Sequence, residues 1–122
     1  MLDTSSKKAT DTREQRSAPR YPVNMLVRLS SDLLVFEGNA EVQGVTTDVG
    51  AGGLFVRSDL LEPVGTRVRV RVLVADGDPI AMEGSIAWIA DAPPKGPGMG
   101  ISLSRTDRSY HQLLRALATR SA

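Results

Sequence analysis

The run Arg67-Val68-Arg69-Val70-Arg71-Val72 limits what this chain can fold into more than any other stretch. A strict period of two puts every valine on one face of a β-strand and every arginine on the other. A helix would scatter both sets around its axis, and valine at every second position favours strand over helix. One face therefore meets a core and the other meets water, the pattern of an antiparallel sheet with a solvated side. The arginine row reads as that solvated side, and it also protects the strand against edge pairing. A stripe for nucleic acid is the competing reading, and a net charge of +1 gives it no general electrostatic support.

The rest of the chain carries the same punctuation. Folding is expected to begin at Tyr21-Pro22, where Val23, Met25, Val27 and Leu29 alternate with Asn24, Leu26 and Arg28. Leu33-Leu34-Val35-Phe36 is apolar enough for a short strand before a turn at Glu37-Gly38-Asn39. Ala40 to Thr47 reads as a strand that delivers Asp48 at its end, and Gly53 to Ser58 as a further brief one. The arginine–valine strand follows the turn Glu62-Pro63-Val64-Gly65 and continues to Val74, and Asp76-Gly77-Asp78-Pro79 closes a hairpin. Ile80, Met82, Ile86 and Trp88 mark the inward face of the next strand, with Trp88 in the core and Gly84 at a bulge or close approach. After a loop over 92–97, Gly98 to Leu103 is the last strand.

From Asp107 the period changes. Tyr110, Leu113, Leu114 and Leu117 fall at i, i+3, i+4 and i+7, with Asp107 or Thr106 as N-cap and Arg115 and Arg120 placed to complement the helix dipole. A chain of 122 residues supports one domain with one modest core. Roughly six short antiparallel strands and a C-terminal helix predict a mainly β protein, a small barrel that covers its edges by closing.

Residues 1–20 carry Lys7, Lys8, Arg13, Arg16 and Arg20 against Asp3, Asp11 and Glu14, with almost no bulky apolar side chain. Such a segment buries too little surface to offset its ordering entropy, so it is expected to be a flexible arm ahead of a barrel over 21–122. The chain contains no cysteine, which excludes disulfides, thiolate metal sites and cysteine nucleophiles. No stretch has the apolar core of a signal peptide or the length of a membrane span, so a cytoplasmic protein without membrane insertion is expected. His111 is the only histidine and lies within the helical pattern, with no serine or cysteine partner in a recognisable motif, so no enzyme is expected. Asp76 and Asp78 form an acidic pair in a Gly-Pro turn with no third ligand suggested, so no metal is expected.

Two stretches remain. Asp48-Val49-Gly50-Ala51-Gly52-Gly53 runs straight into Leu54-Phe55-Val56. Three glycines in four positions permit φ > 0 and the close approach of another group. It lacks the Gly-Lys-Ser/Thr ending of a phosphate loop and the helix of a dinucleotide fold. The plain reading is a hairpin whose aspartate caps its own backbone. Upstream, Arg16 and Arg20 stand four residues apart.

Two arginines at this spacing, then the start of a β-barrel, then Asp-x-x-x-x-Gly, is an order that resembles the PilZ domain, from about Arg13 to the C-terminus. The family pattern is Arg-x-x-x-Arg followed by (Asp/Asn)-x-Ser-x-x-Gly, and every fixed position matches except the serine, which is Gly50 here. Gly52 to Val56, Gly84 to Trp88 and Gly98 to Ile101 resemble further family segments in the family's order. The resemblance implies a PilZ-type barrel and a receptor for cyclic di-GMP that relays its signal to an effector protein, unidentified here. Carried over by position, Arg16 and Arg20 would hold phosphate and guanine, Asp48 a guanine donor edge, and Gly53 would allow backbone approach, while Gly50 lacks the hydroxyl.

The residue chemistry agrees with such a ligand. Guanidinium forks match phosphate oxygens and the O6/N7 edge of guanine, and an ionised Asp48 is acceptor-only, which suits N1–H and N2–H₂. A glycine run also leaves backbone N–H groups free to face a phosphate. No other cofactor is implied. Nor is DNA or RNA, because two Phe, two Tyr and one Trp are few for stacking platforms. The alternative is a degenerate PilZ-like adaptor acting by protein contact without the nucleotide, favoured by the missing serine and opposed by the arginines, Asp48 and Gly53. One neutral hydrogen bond is worth roughly 0.5–1.5 kcal/mol, so its loss predicts a weakened site and not a dead one.

Overall fold

The computed structural model describes residues 19–31, 41–75 and 77–121. The expected strand over 33–36, the turn after it, Asp76 and Arg16 lie outside the described residues. Within them the elements are β1 (Arg20–Pro22), β2 (Leu26–Ser30), β3 (Val42–Gly50), β4 (Gly53–Arg57), β5 (Arg67–Val72), β6 (Ile80–Ala90), β7 (Gly98–Arg105) and a C-terminal helix α1 (Arg108–Ser121).

Six strands close an antiparallel barrel in the order β3-β2-β5-β6-β7-β4, with β4 returning to pair with β3. The seventh, β1, adds to β3 outside that ring, Arg20 facing Gly50 and Pro22 facing Asp48. The valines of β5 fill the interior with Val27, Leu29, Leu54, Val56, Ile86 and Ile101, and α1 lays Tyr110, Leu114 and Leu117 on the same core. Each such side chain, once buried, contributes about 1.5–3 kcal/mol of transfer free energy. The helix starts as its sequence predicts, the Tyr110 backbone N–H donating to Asp107 Oδ1 at 3.2 Å. No helix among the described residues is long and apolar enough to cross a membrane.

Four details differ from the sequence expectation. The strand expected from Tyr21 onward breaks at 23–25, because the buried Thr46 hydroxyl occupies the ladder there. It donates to the Val23 carbonyl at 2.6 Å and accepts from the Met25 N–H at 2.8 Å. The arginine row needs no edge protection, since β5 is paired on one side with β2 and on the other with β6. Among the described residues the glycines with positive φ are Gly65 and Gly77, not those of the 50–53 run.

The fourth difference concerns parity. β3 does not stop at Thr47 but runs through Asp48 to Gly50, and its pairing with β4 shifts register between Thr46 and Asp48. Thr46 and Val49 are both fully buried, so the extra residue turns Asp48 outward where strict alternation would turn it in. β6 does the same between Ile86 and Trp88. Ile86 stays in the core, while Trp88, expected there too, stands outside with 43% of its surface exposed. Gly84 behaves as expected, at another register shift and pressed so close to the Ser102 carbonyl that a Cβ would collide with it.

Candidate functional site

The two shifts place Asp48 and Trp88 in one outward row across five strands. Pro22, Asp48, Phe55, Gly100 and Trp88 are successive register partners on β1, β3, β4, β7 and β6. Gly100 is the floor of this row, since a Cβ there would collide with the Trp88 indole. Phe55 points away from the barrel core yet is fully buried, because Trp88 stacks on it at 4.9 Å between centroids. Lys95, from the loop between β6 and β7, places its ammonium 4.8 Å from the Phe55 ring centroid and 5.5 Å from that of Trp88.

Arg20 leads out of β1 directly onto Asp48. Its Nε donates to Asp48 Oδ1 at 2.8 Å, and its Nη2 donates to the same oxygen. The other carboxylate oxygen accepts from Thr47 Oγ1 at 3.2 Å and lies 3.9 Å from Lys95 Nζ. Arg20 is 42% and Asp48 22% exposed. A pair this open to water contributes at most about 1 kcal/mol, so a better partner can separate it.

Beside the pair lies a cleft of about 260 Å³, bordered by Arg20, the 50–53 turn, Trp88 and the stretch Gly100–Ser102. Sites that bury most of a drug-sized ligand run to about 300–1,000 Å³, so this cleft is slightly smaller than such a site. The turn is packed from below and from the side. Gly50 donates its space to β1, because a Cβ would lie 2.9 Å from the Pro19 carbonyl oxygen and 3.0 Å from Arg20 Cδ. Its carbonyl accepts a hydrogen bond from the Tyr110 hydroxyl at 2.5 Å, which ties α1 to the turn. The phenol is pushed up to about 12, chiefly by burial; the nearby Arg20 opposes that rise and Asp48 adds to it. At Gly53 the close approach is to β7, a Cβ there meeting the Ile101 carbonyl oxygen at 2.5 Å.

The structure thus brings Arg20, Asp48, Gly50 and Gly53 to one end of one face, while Arg16 lies outside the described residues. It adds Trp88, Lys95 and Tyr110. Strand parity sent Trp88 to the core, helical spacing gave the burial of Tyr110 but not its hydroxyl's partner, and nothing in the loop 92–97 marked Lys95. Among the described residues, no cluster of His, Asp or Glu is arranged to hold a metal.

A family model described as the PilZ domain matches residues 14–120. No curated protein matches the chain by sequence. Among solved structures it is similar to the Bacillus subtilis inhibitor of motility (MotI/DgrA), with 18% identity and a TM-score of 0.67, covering 86% of this chain and 50% of that one. The chain therefore spans half the length of that protein. It is also similar to the PilZ domain of CeSA from a cellulose-synthesizing bacterium, at 18% identity and a TM-score of 0.59, covering 86% of this chain and all of that one. A third structure is the PilZ domain of YcgR from Escherichia coli, solved with c-di-GMP, at 12% identity and a TM-score of 0.62, covering 84% and 88%.

Proposed function

Because the chain belongs to the PilZ family, we propose that it is a cytoplasmic receptor that binds cyclic di-GMP and passes the signal to a partner protein. The observation that carries this reading is the separable Arg20–Asp48 pair at the mouth of a cleft that also exposes Trp88. Arg20 leaves Asp48 for a phosphate or the O6/N7 edge of a guanine, and Asp48 turns to a guanine's N1–H and N2–H₂. The exchange favours the ligand. One exposed pair worth at most about 1 kcal/mol gives way to charge-assisted bonds worth about 1.5–3 kcal/mol each. Trp88 supplies a stacking surface, worth about 1–3 kcal/mol per base. Arg16 joins from the preceding segment, and the backbone of Gly50 to Gly53 lines the approach. The similar E. coli domain, solved with c-di-GMP, supports the assignment of the ligand.

One observation favours the adaptor reading instead. Pro19 and Arg20 close on Gly50 so tightly that the family's serine would not fit without movement of β1. Titration calorimetry of the whole chain with cyclic di-GMP, beside a single-stranded oligonucleotide, separates the readings. Saturable binding of cyclic di-GMP alone is the expected result. A folded protein that binds neither at high concentration is the adaptor, and binding of the oligonucleotide alone would overturn both.

A further inference from the structure

We infer that Lys95 is a third cation of this site and contacts the bound nucleotide, an inference that rests on the receptor reading above. Its loop is pinned beside the row and does not trail into solvent. Arg57 Nη2 donates to the Gly96 carbonyl at 3.4 Å, the Ser58 N–H to the Pro97 carbonyl at 3.2 Å, and the Gly96 N–H to the Ala92 carbonyl at 3.0 Å. Lys95 is the one lysine among the described residues, and its ammonium reaches inward over Phe55 and Trp88 to within 3.9 Å of Asp48.

Asp48 is therefore bracketed, Arg20 on Oδ1 and Lys95 on the side of Oδ2. When Asp48 accepts from a guanine, both cations lose their counter-charge together. Cyclic di-GMP brings two phosphodiester anions and two guanine O6/N7 edges, more acceptor sets than the guanidinium groups of Arg16 and Arg20 can meet. A cation on a long flexible stem can follow a phosphate as it settles, and Lys95 is 51% exposed, so little holds it back. The aromatic pair beneath it keeps the stem aligned along the row in the free protein.

The plain alternative is that Lys95 only covers Phe55 with its methylenes. Lys95→Met keeps the apolar stem and removes the charge; Lys95→Arg keeps the charge. Calorimetric titration with cyclic di-GMP at two salt concentrations is expected to show Lys95→Met weaker by about fivefold to tenfold and less sensitive to salt, with Lys95→Arg within about twofold of the natural chain. The melting temperature should be the same in all three. Lys95→Met binding as tightly as the natural chain, with the same salt dependence, would overturn this inference and leave the receptor reading intact. An equal loss in Lys95→Arg would overturn it as well, because loop packing and not charge would be at work. Failure of the natural chain to bind removes the receptor reading and this inference with it.

Discussion

On the outward side of β2, β5 and β6, Arg28 faces Arg71 and Arg69 faces Glu83, which in turn faces Arg105. On the outward side of β1, β3, β4, β7 and β6, Arg20 stands over Asp48 beside a stacked aromatic pair. The first face has more charge and the larger cavity, about 520 Å³ against about 260 Å³. Two of its arginines share one acid, Arg71 pairing with Glu41 and Arg28 lying 3.8 Å from the same carboxylate, and no aromatic side chain lines it among the described residues. The second face combines a separable ion pair, a stacking surface and a glycine floor. What sets the second face apart is thus the mixture of chemistries held at one place, and neither the number of arginines nor the volume beside them.

The largest difference between the faces should be mechanical. Phe55 is fully buried outside the core, under Trp88 and Lys95, so Phe55→Ala is expected to cost about 3–5 kcal/mol in urea denaturation, the range for large aromatic truncations. Arg69→Ala on the other face should change stability by less than about 0.5 kcal/mol. Equal costs would mean that the aromatic cover is not packed as a second core, and the comparison would collapse.

How much of this was legible beforehand depends on parity. Where alternation runs unbroken, as from Arg67 to Val72, every side chain falls on the face its position predicts. The helix was equally legible, with Asp107 capping it and Tyr110, Leu114 and Leu117 inside. The candidate site was legible as a motif, in Arg20, Asp48, Gly50 and Gly53, which the structure brings together, but not as a surface. Its surface is created by register shifts at Thr46/Asp48 and Ile86/Trp88, and one extra residue reverses every later side chain. Nothing local in the sequence marks either shift, because each is fixed by the partner strand. Gly50 misled in a related way, its residue type suggesting positive φ when the cause is the closeness of Pro19 and Arg20.

Tyr110 ties the site face, and not the arginine face, to α1, and its titration tests that tie. The unfolded phenol ionises near about 10, whereas in the folded protein it is pushed up to about 12. Above pH 10 the unfolded chain therefore releases a proton that the native state keeps. The contribution is whole below pH 10 and is lost as pH rises toward 12, by about 2–3 kcal/mol in full. Stability measured from pH 9 to 12 should fall less steeply in Tyr110→Phe than in the natural chain. Parallel curves would mean that the hydroxyl is solvated and the tie is not made.

Binding should then separate the faces directly. Arg20→Ala and Arg16→Ala each remove a charge-assisted contact of about 1.5–3 kcal/mol, so affinity for cyclic di-GMP should fall about ten- to hundredfold. Arg20 is 42% exposed, so its melting temperature should barely move. Arg69→Ala should bind like the natural chain. If it loses as much as Arg20→Ala, the ligand sits on the arginine face and the site has been placed on the wrong side of the barrel.

The smallest effect is the most informative about the site face itself. Gly50→Ser restores the hydroxyl that the family pattern places there, and because Gly50 does not sit at positive φ, a Cβ meets no conformational penalty. It does meet the Pro19 carbonyl oxygen and Arg20 Cδ. Arg20 can swing away, but Pro19 is backbone, so the start of β1 must move by a few tenths of an ångström, at about 1 kcal/mol. That displacement weakens the Arg20–Asp48 pair, which ligand binding has to open in any case. The hydroxyl adds a phosphate contact of about 0.5–1.5 kcal/mol, so stability and affinity should move in opposite directions, with a slightly lower melting temperature and binding about threefold to tenfold tighter. Lower stability with weaker binding would mean that the closeness of β1 to Gly50 is itself part of the binding geometry, and that glycine belongs to this site in its own right.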